Sequence, residues 1–266
     1  MTFGIDATVV EQIKGWAIAA GKMALENQHD LDEQIKADDT PVTNVDTMVE
    51  RFLVEAIHTA FPDHQVIGEE ASRIGSKSDW LWALDPIDGT KSYMRKLPVW
   101  GVSLGLLYRG APAAGVVYLP VTGDLYWGWQ GGAFWNGSSL SEQPPFAYDS
   151  SLTFLAVHSM AHQDNEILYP RIQAFGSTAA HLAFLAAGKA AGVLARRVHI
   201  WDVAGALPIL QQAGYAVQYL SGRPLVISDL FDGSSTREQL VATRPEWMER
   251  LRGDIRKRIA DPFTLL

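Results

Sequence analysis

Residues 82–93, WALDPIDGTKSY, run an apolar segment straight into Asp85 and Asp88, with only Pro86 and Ile87 between them. A buried carboxylate is costly unless it is paired, hydrogen-bonded or bound to a cation. Read as local chemistry, Asp, Pro, Gly and Thr make a tight turn. Read as a site, Asp85 directly extends a buried strand, and the Gly89–Thr90 backbone offers N–H groups suited to an anion. The rest of the chain has to decide between the two.

Upstream, TVVEQIKGWAIAAGKMALE has helical periodicity, with Val9, Ile13, Trp16, Ala20 and Met23 on one face and Thr8–Glu11 at capping-box spacing. A polar break ends at Thr43, which starts a second helix with Met48, Phe52, Ala56 and Ile57 inward. A short strand over QVIG and a polar loop (71–79) then lead to the strand WLWAL. Downstream, VWGVSLGLLYRG, APAAGVVYLP, GDLYWGWQ and GAFWNG are punctuated by Gly, Pro and Asp, as in an antiparallel sheet. From about residue 150 the pattern alternates. LTFLAVHS reads as a strand, 163–172 as helical, and GSTAAHLAFLAAGKAAGVLA as helix then strand. WDVAGALPILQQAGY reads as one helix ending at Gly214, and PEWMERLRGDIRKRI as a short helix with a basic, exposed end. The pattern predicts an α+β chain in two layered subdomains sharing a cleft. Residues 1–148 form an N-terminal α+β unit carrying the main acidic motifs, and residues 149–266 form a C-terminal α/β unit that completes the site.

Composition narrows the function. The chain has 266 residues, 47% of them hydrophobic, and a net charge of −8, which argues against a nucleic-acid partner. There is no cysteine, so thiolate nucleophiles, disulfides and cysteine-ligated zinc are excluded. No segment reads as a signal peptide or a membrane span, and a cytoplasmic protein without a membrane partner is expected. The nine tryptophans read as core, and His158 and His162 as a surface pair rather than a zinc site.

Three acidic stretches end apolar elements: Glu69–Glu70 after VIG, Asp85 and Asp88 after WLWAL, and Asp202 after Trp201. Alone, GEE is a solvated pair, and Asp202 is a helix N-cap stabilising its helix by roughly 1 kcal/mol. Together they suit a hard cation that wants oxygen ligands. In this order and spacing, GEE (68–70), DPIDGT (85–90) and WDVAG (201–205) resemble the motifs of the inositol monophosphatase family of magnesium-dependent, lithium-sensitive phosphomonoesterases. KADDTPVTNVD (36–46), GVVYLPVTGDLYWGWQGGAFWNG and GSTAAHLAFLAAGKAAGV extend the resemblance over most of the chain.

The resemblance implies a layered α-β-α-β-α sandwich of the sugar-phosphatase type, assembled as a homodimer, with two or three Mg²⁺ ions and a small phosphorylated metabolite as partner. It implies that Glu69, Asp85 and the Ile87 carbonyl hold one ion, and that Asp85, Asp88 and Asp202 hold another. Thr90 with Glu69 would orient the attacking water. Gly89 and Thr90 would cradle the phosphate, and Asp202 and the position of Ala195 would face the substrate. Lys36 and Asp46 would lie near the site. Four carboxylates in one cleft repel each other, so such a site makes electrostatic sense only with metal.

The substrate implied is inositol monophosphate or a similar polyol phosphate. Members acting on inositol phosphates carry an acidic residue where this chain has Ala195, followed by Arg196 and Arg197. The Lys91–Ser92 version of the motif is more similar to relatives that hydrolyse histidinol phosphate or nucleotide 3′-phosphates, and His181 stands where an Asp is common. The alternatives are therefore the same chemistry on histidinol phosphate, 3′-phosphoadenosine 5′-phosphate or fructose 1,6-bisphosphate, with Arg196 and Arg197 favouring a second anionic group. A non-catalytic metal and phosphate sensor is the reading outside the enzyme class.

Overall fold

A computed structural model describes residues 5–36, 40–70, 73–75, 78–142 and 146–258. Residues 37–39 of the KADDTPVTNVD motif, parts of the 71–79 loop and the end of the basic C-terminal stretch lie outside them.

The architecture is an α-β-α-β-α sandwich. Helices Ala7–Asn27 and Asn44–Ala60 cover one face of an eight-stranded sheet, and helices Ile200–Ala204 and Leu207–Gln212 cover the other. Helix Thr178–Ala186 packs between these and a five-stranded sheet, whose far face carries helix Met248–Asp254. Strands Trp80–Asp88, Gly101–Tyr108, Ala111–Leu119, Asp124–Trp129 and Gly132–Trp135 form the antiparallel meander expected from their Gly and Asp punctuation. Gln65–Gly68 instead runs parallel to Trp80–Asp88, its crossover passing through residues 69–79. The five-stranded sheet uses Phe154–Val157, Ile172–Gln173, Ala190–Ala195, Ala216–Tyr219 and Leu240–Thr243. All nine tryptophans pack into or against the hydrophobic clusters; Trp82, for example, meets Trp16 at 6.0 Å and Phe61 at 5.6 Å.

Several local expectations are corrected. The first helix is capped by Asp6, whose carboxylate accepts the Thr8 and Val9 N–H groups at 2.9 and 3.1 Å, rather than by Thr8. Its deepest stripe is Val10, Ile13, Ala17, Ala20, Gly21 and Ala24, with Val9, Trp16 and Met23 at the flanks. The helix lies so close to the sheet that small residues, not the largest apolar ones, face it; a Cβ on Gly21 would meet Tyr118 and Pro120. The second helix begins after Thr43 as expected, but buries Asp46 and Glu50 along with Val45, Val49, Leu53 and Ile57. Counting apolar residues misplaced that face because two of its members are acidic. The expected helix at 163–172 is only Ala161–Asp164; the chain turns extended at Asn165, and Asn165–Ile167 pairs antiparallel with Ile255–Lys257. That pairing also makes part of the basic C-terminal stretch a strand. WDVAGALPILQQAGY is two helices, broken at Gly205 and Ala206.

The break has a cause. Gly105, Gly115 and Gly128 are register partners on three adjacent strands. Together they form a trench without side chains, in which the backbone from Ala204 to Ile209 lies. A Cβ on Gly105 would strike Ala204, one on Gly115 the Gly205 carbonyl, and one on Gly128 the Ile209 backbone. Gly115→Ala should therefore lower stability to urea by about 1–3 kcal/mol and weaken Mg²⁺ binding, because the segment carrying Asp202 must lift. Gly15→Ala, in an exposed helical position with nothing within 4 Å of its added Cβ, is the control and should be neutral or stabilising.

Candidate active site

The sheet register assembles the site. Gly68 pairs with Leu84 in the parallel ladder, so the next residue on each strand, Glu69 and Asp85, emerge side by side. On the other flank Asp85 pairs with Ser103, whose hydroxyl donates to the Trp201 carbonyl at 3.0 Å. That bond docks the start of the Asp202 helix against the same strand. His199 stacks on Trp201, ring centroids 4.8 Å apart, and its backbone N–H donates to Asp202 at 2.8 Å. Asp202 thus sits inside the first turn rather than at the N-cap, which is His199.

The tight turn expected at Pro86 is instead a bulge. The strand runs through Asp88, which pairs with Gly101, and Pro86 and Ile87 have no register partner. The bulge lets Asp85 and Asp88 reach one cleft, and the Ile87 N–H donates to Asp85 at 2.9 Å. Only then does the chain turn, at Gly89 with φ 98°, into the short helix Thr90–Met94.

Ligand oxygens of Asp85, Asp88 and Asp202 all lie within 4.8 Å of one another. Asp85 and Asp88 are buried, and Asp202 is half-buried. With Glu69, Ile87, Gly89 and Thr90 they line a cleft of about 620 Å³ that also receives Lys36, Lys91, Arg196, Arg197 and His199. Ala195 does not line it. Its side chain is in the core between the strands and helix Thr178–Ala186, so it offers no polar contact to a substrate. The Thr90 hydroxyl lies 3.3 Å from both Asp46 and the Ile87 carbonyl, so these two oxygens are its partners in the structure. Asp46 is fixed in turn by the Thr43 hydroxyl and N–H, at 2.5 and 2.9 Å.

The acidic groups strain one another. Burial, then Glu69, Asp88 and Asp202, push Asp85 well above the carboxylate range. Burial and Asp202 raise Asp88 to about 7, against the Ser177 hydroxyl and Ala179 N–H that both donate to it. Glu69 is raised by burial despite Lys36, and burial with Glu69 takes Glu70 to about 7. Lys36 loses by burial, but its bonds to Glu69 at 2.9 Å and Glu70 at 2.6 Å more than offset this and raise it. Among the described residues, only the Lys36 ammonium and, at 3.7 Å from Asp202, the His199 ring come within ion-pair distance of these carboxylates, which leaves the cluster short of positive charge.

Ser177 and Ala179 are residues that motif reading did not single out. They hold Asp88 from across the cleft, and their loop is clamped on both sides. The Ser92 hydroxyl donates to the Phe175 carbonyl at 3.2 Å, and the Phe175 N–H donates to His181 Nε2 at 3.0 Å. The capping signature Ser-x-x before an apolar helix was their one sequence signal. His158 lies 3.1 Å from Gln239 and 3.8 Å from Asp164, while His162 is exposed, so the two histidines do not meet at a shared site.

Two outcomes are expected. In EDTA, Asp88→Asn should melt above wild type, because one of the mutually repelling groups is gone; excess Mg²⁺ should raise wild type, by about 2.7 kcal/mol at a hundred times Kd, and leave the variant unmoved. Burial holds His181 at about 4, below the usual 6.5. A depressed histidine contributes stability above its unfolded value that is lost as pH falls from about 6.5 through about 4. The full loss is about 3 kcal/mol at about 1.4 kcal/mol per factor of ten in proton affinity. The carboxylates raised towards 7 act in the opposite sense, so the test is a difference: between pH 7 and 4, urea unfolding of wild type should lose about 3 kcal/mol relative to His181→Gln.

Among the described residues, no helix is long and apolar enough to cross a membrane. The sequence profile of the inositol monophosphatase family matches residues 6–260. The fructose-1,6-bisphosphatase/inositol-1-monophosphatase of Aquifex aeolicus is 31% identical over 87% of this chain and 93% of its own. A histidinol-phosphatase of Chlorobaculum parvum is 33% identical over 78% of this chain and 84% of its own. The crystal structure of extragenic suppressor protein SuhB from Bartonella henselae superposes with a TM-score of 0.81, covering 93% of this chain and 98% of that one; at 22% identity it bears on the fold alone. The chain therefore belongs to the inositol monophosphatase family, whose members are magnesium-dependent phosphoric monoester hydrolases.

Proposed function

We propose that the protein hydrolyses the phosphate monoester of a small metabolite, of the polyol- or sugar-phosphate class that includes inositol monophosphate. The observation that carries this is the convergence of Asp85, Asp88 and Asp202 within 4.8 Å at the floor of the cleft. The donor set fits magnesium: all oxygen, largely buried, and short of positive charge. Asp85, Asp88 and Asp202 would hold the metal, with Glu69 and the Ile87 carbonyl completing places for two or three Mg²⁺ ions. Bound there, the metal supplies Lewis acidity that lowers the pKa of a water and steadies negative charge on the departing oxygen.

The chain's own groups do the positioning. Asp46 accepts the Thr90 hydroxyl proton, which leaves Thr90 Oγ1 as an acceptor for a water proton. Glu69, next to Asp85, is the second acceptor, so that water would be aimed from two sides. The first-turn N–H groups at Gly89 and Thr90 would receive the phosphate oxygens. Lys36 would give up part of its hold on Glu69 and Glu70 when metal enters. Apolar Ala195 removes the hydroxyl-reading carboxylate that inositol specificity needs, which favours a broader or different alcohol. We extend the reading to a cytoplasmic homodimer.

The test is phosphate release, with and without Mg²⁺, from inositol 1-phosphate, histidinol phosphate, 3′-phosphoadenosine 5′-phosphate and fructose 1,6-bisphosphate. Turnover of at least one should require Mg²⁺ and fall at least about a hundredfold in Asp88→Asn. Metal-independent turnover, or an Asp88→Asn enzyme as fast as wild type, would refute the proposal. Metal binding without turnover of any ester would favour the sensor.

A further inference from the structure

The cleft does not end at the acidic cluster. Arg196, Arg197 and Ser235 also line a neighbouring second basin of about 1080 Å³. Sites for small ligands typically measure about 300–1,000 Å³, so the basin has room for a further group of the substrate. The basin is basic although the chain is acidic: Arg196, Arg197, Arg237, Lys257 and Arg258 line it against Asp164 and Glu238.

Both carboxylates are already engaged. Asp164 pairs with Arg196 at 2.9 Å, which removes Arg196 from the reading that its position next to Arg197 suggested. Glu238 pairs with Arg223 at 3.0 Å and accepts the Ser221 N–H at 2.5 Å. Among the described residues, no carboxylate lies within ion-pair distance of Arg197, Arg237, Lys257 or Arg258. The backbone holds two of these cations together. Strands Ala190–Ala195 and Leu240–Thr243 are antiparallel with Ala195 opposite Leu240, and the pairing is prolonged by Val198 and Thr236. The Thr236 N–H donates to the Val198 carbonyl at 2.8 Å, and the Val198 N–H to the Thr236 hydroxyl at 3.1 Å. Arg197 and Arg237 each adjoin this clamp. Arg197 reaches its place with φ 51°, a left-handed conformation that residues other than Gly, Asn and Asp rarely adopt. The left-handed arginine costs stability, and an anion bound by its guanidinium would offset that cost.

We propose that this basin takes a second anionic group of the substrate, so that the preferred esters are small bisphosphates: one phosphate at the acidic cluster, the other between Arg197 and Arg237. This rests on the phosphatase reading above.

Matched pairs test it: 3′-phosphoadenosine 5′-phosphate against adenosine 3′-monophosphate, and fructose 1,6-bisphosphate against fructose 1-phosphate. Each pair differs only in the second phosphate. Wild type should favour the bisphosphate of at least one pair by about tenfold or more in kcat/KM, less so as salt rises. The double variant R197G/R237A should bring that ratio towards one. Glycine suits the backbone at 197 and Arg237 is exposed, so the variant should fold; its melting temperature checks this. No preference in either pair, or a preference that survives the double variant, overturns the proposal. Calorimetric binding of the same pairs separates the two readings. If no ester is hydrolysed yet the bisphosphate binds at least tenfold tighter to wild type than to R197G/R237A, the phosphatase reading fails and the subsite stands; equal binding removes the subsite.

Discussion

Repulsion among carboxylates crowded at the mouth of the eight-stranded sheet is the constraint on which the rest of the structure turns. Asp85, Asp88 and Asp202 bring oxygens within 4.8 Å of one another, and Glu69 stands beside them. Folding brings those charges together only because each is over-determined by neutral structure. Asp85 is fixed by a nine-residue strand and the Ile87 N–H, Asp88 by Ser177 and Ala179, and Asp202 by the His199 N–H and the Ser103–Trp201 bond. Such a site stores electrostatic free energy that a divalent cation releases on binding, and metal affinity and apo instability are then two views of one design.

The scaffold explains why ligands far apart in sequence meet. A parallel pair and an antiparallel pair share the Asp85 strand, so one register sets Glu69 on one side and Ser103 on the other. The glycine trench on the same sheet allows the backbone after Asp202 to lie flat against it. Helix Thr178–Ala186, from the far side of the middle layer, returns Ser177 and Ala179 to Asp88. Substitutions in the trench or the Phe175 clamp therefore act on the chemistry without touching substrate.

Much of this was legible in the sequence. Residues that must be a particular type, namely the carboxylates, Gly89, Thr90 and Thr43, stood out because few chemistries need that spacing. The layered α+β architecture followed from the resemblance and from the change of pattern near residue 150. What escaped were features set by three-dimensional closeness. Helix phases shifted because Ala and Gly face the sheet in the first helix, and Asp46 and Glu50 share the inward face of the second. The bulge at Pro86–Ile87 reads as a turn when only local propensity is weighed. Arg196 is neutralised by Asp164, a partner 32 positions away that no motif announces. Lys257 reads as part of an exposed basic end and Arg237 belongs to no motif, yet both line one basin with Arg197.

Membership of the inositol monophosphatase family places the chemistry, and the basic basin beyond the cleft bears on which alcohol is used. Both depend on metal occupying the acidic cluster. Anomalous diffraction from crystals soaked in Mn²⁺, an oxygen-seeking stand-in for Mg²⁺, addresses that most directly. The expected result is anomalous density among Asp85, Asp88 and Asp202, lost in Asp88→Asn. A fully soaked crystal with no peak there, and with Lys36 still bonded to both Glu69 and Glu70, would contradict the cluster as a metal site.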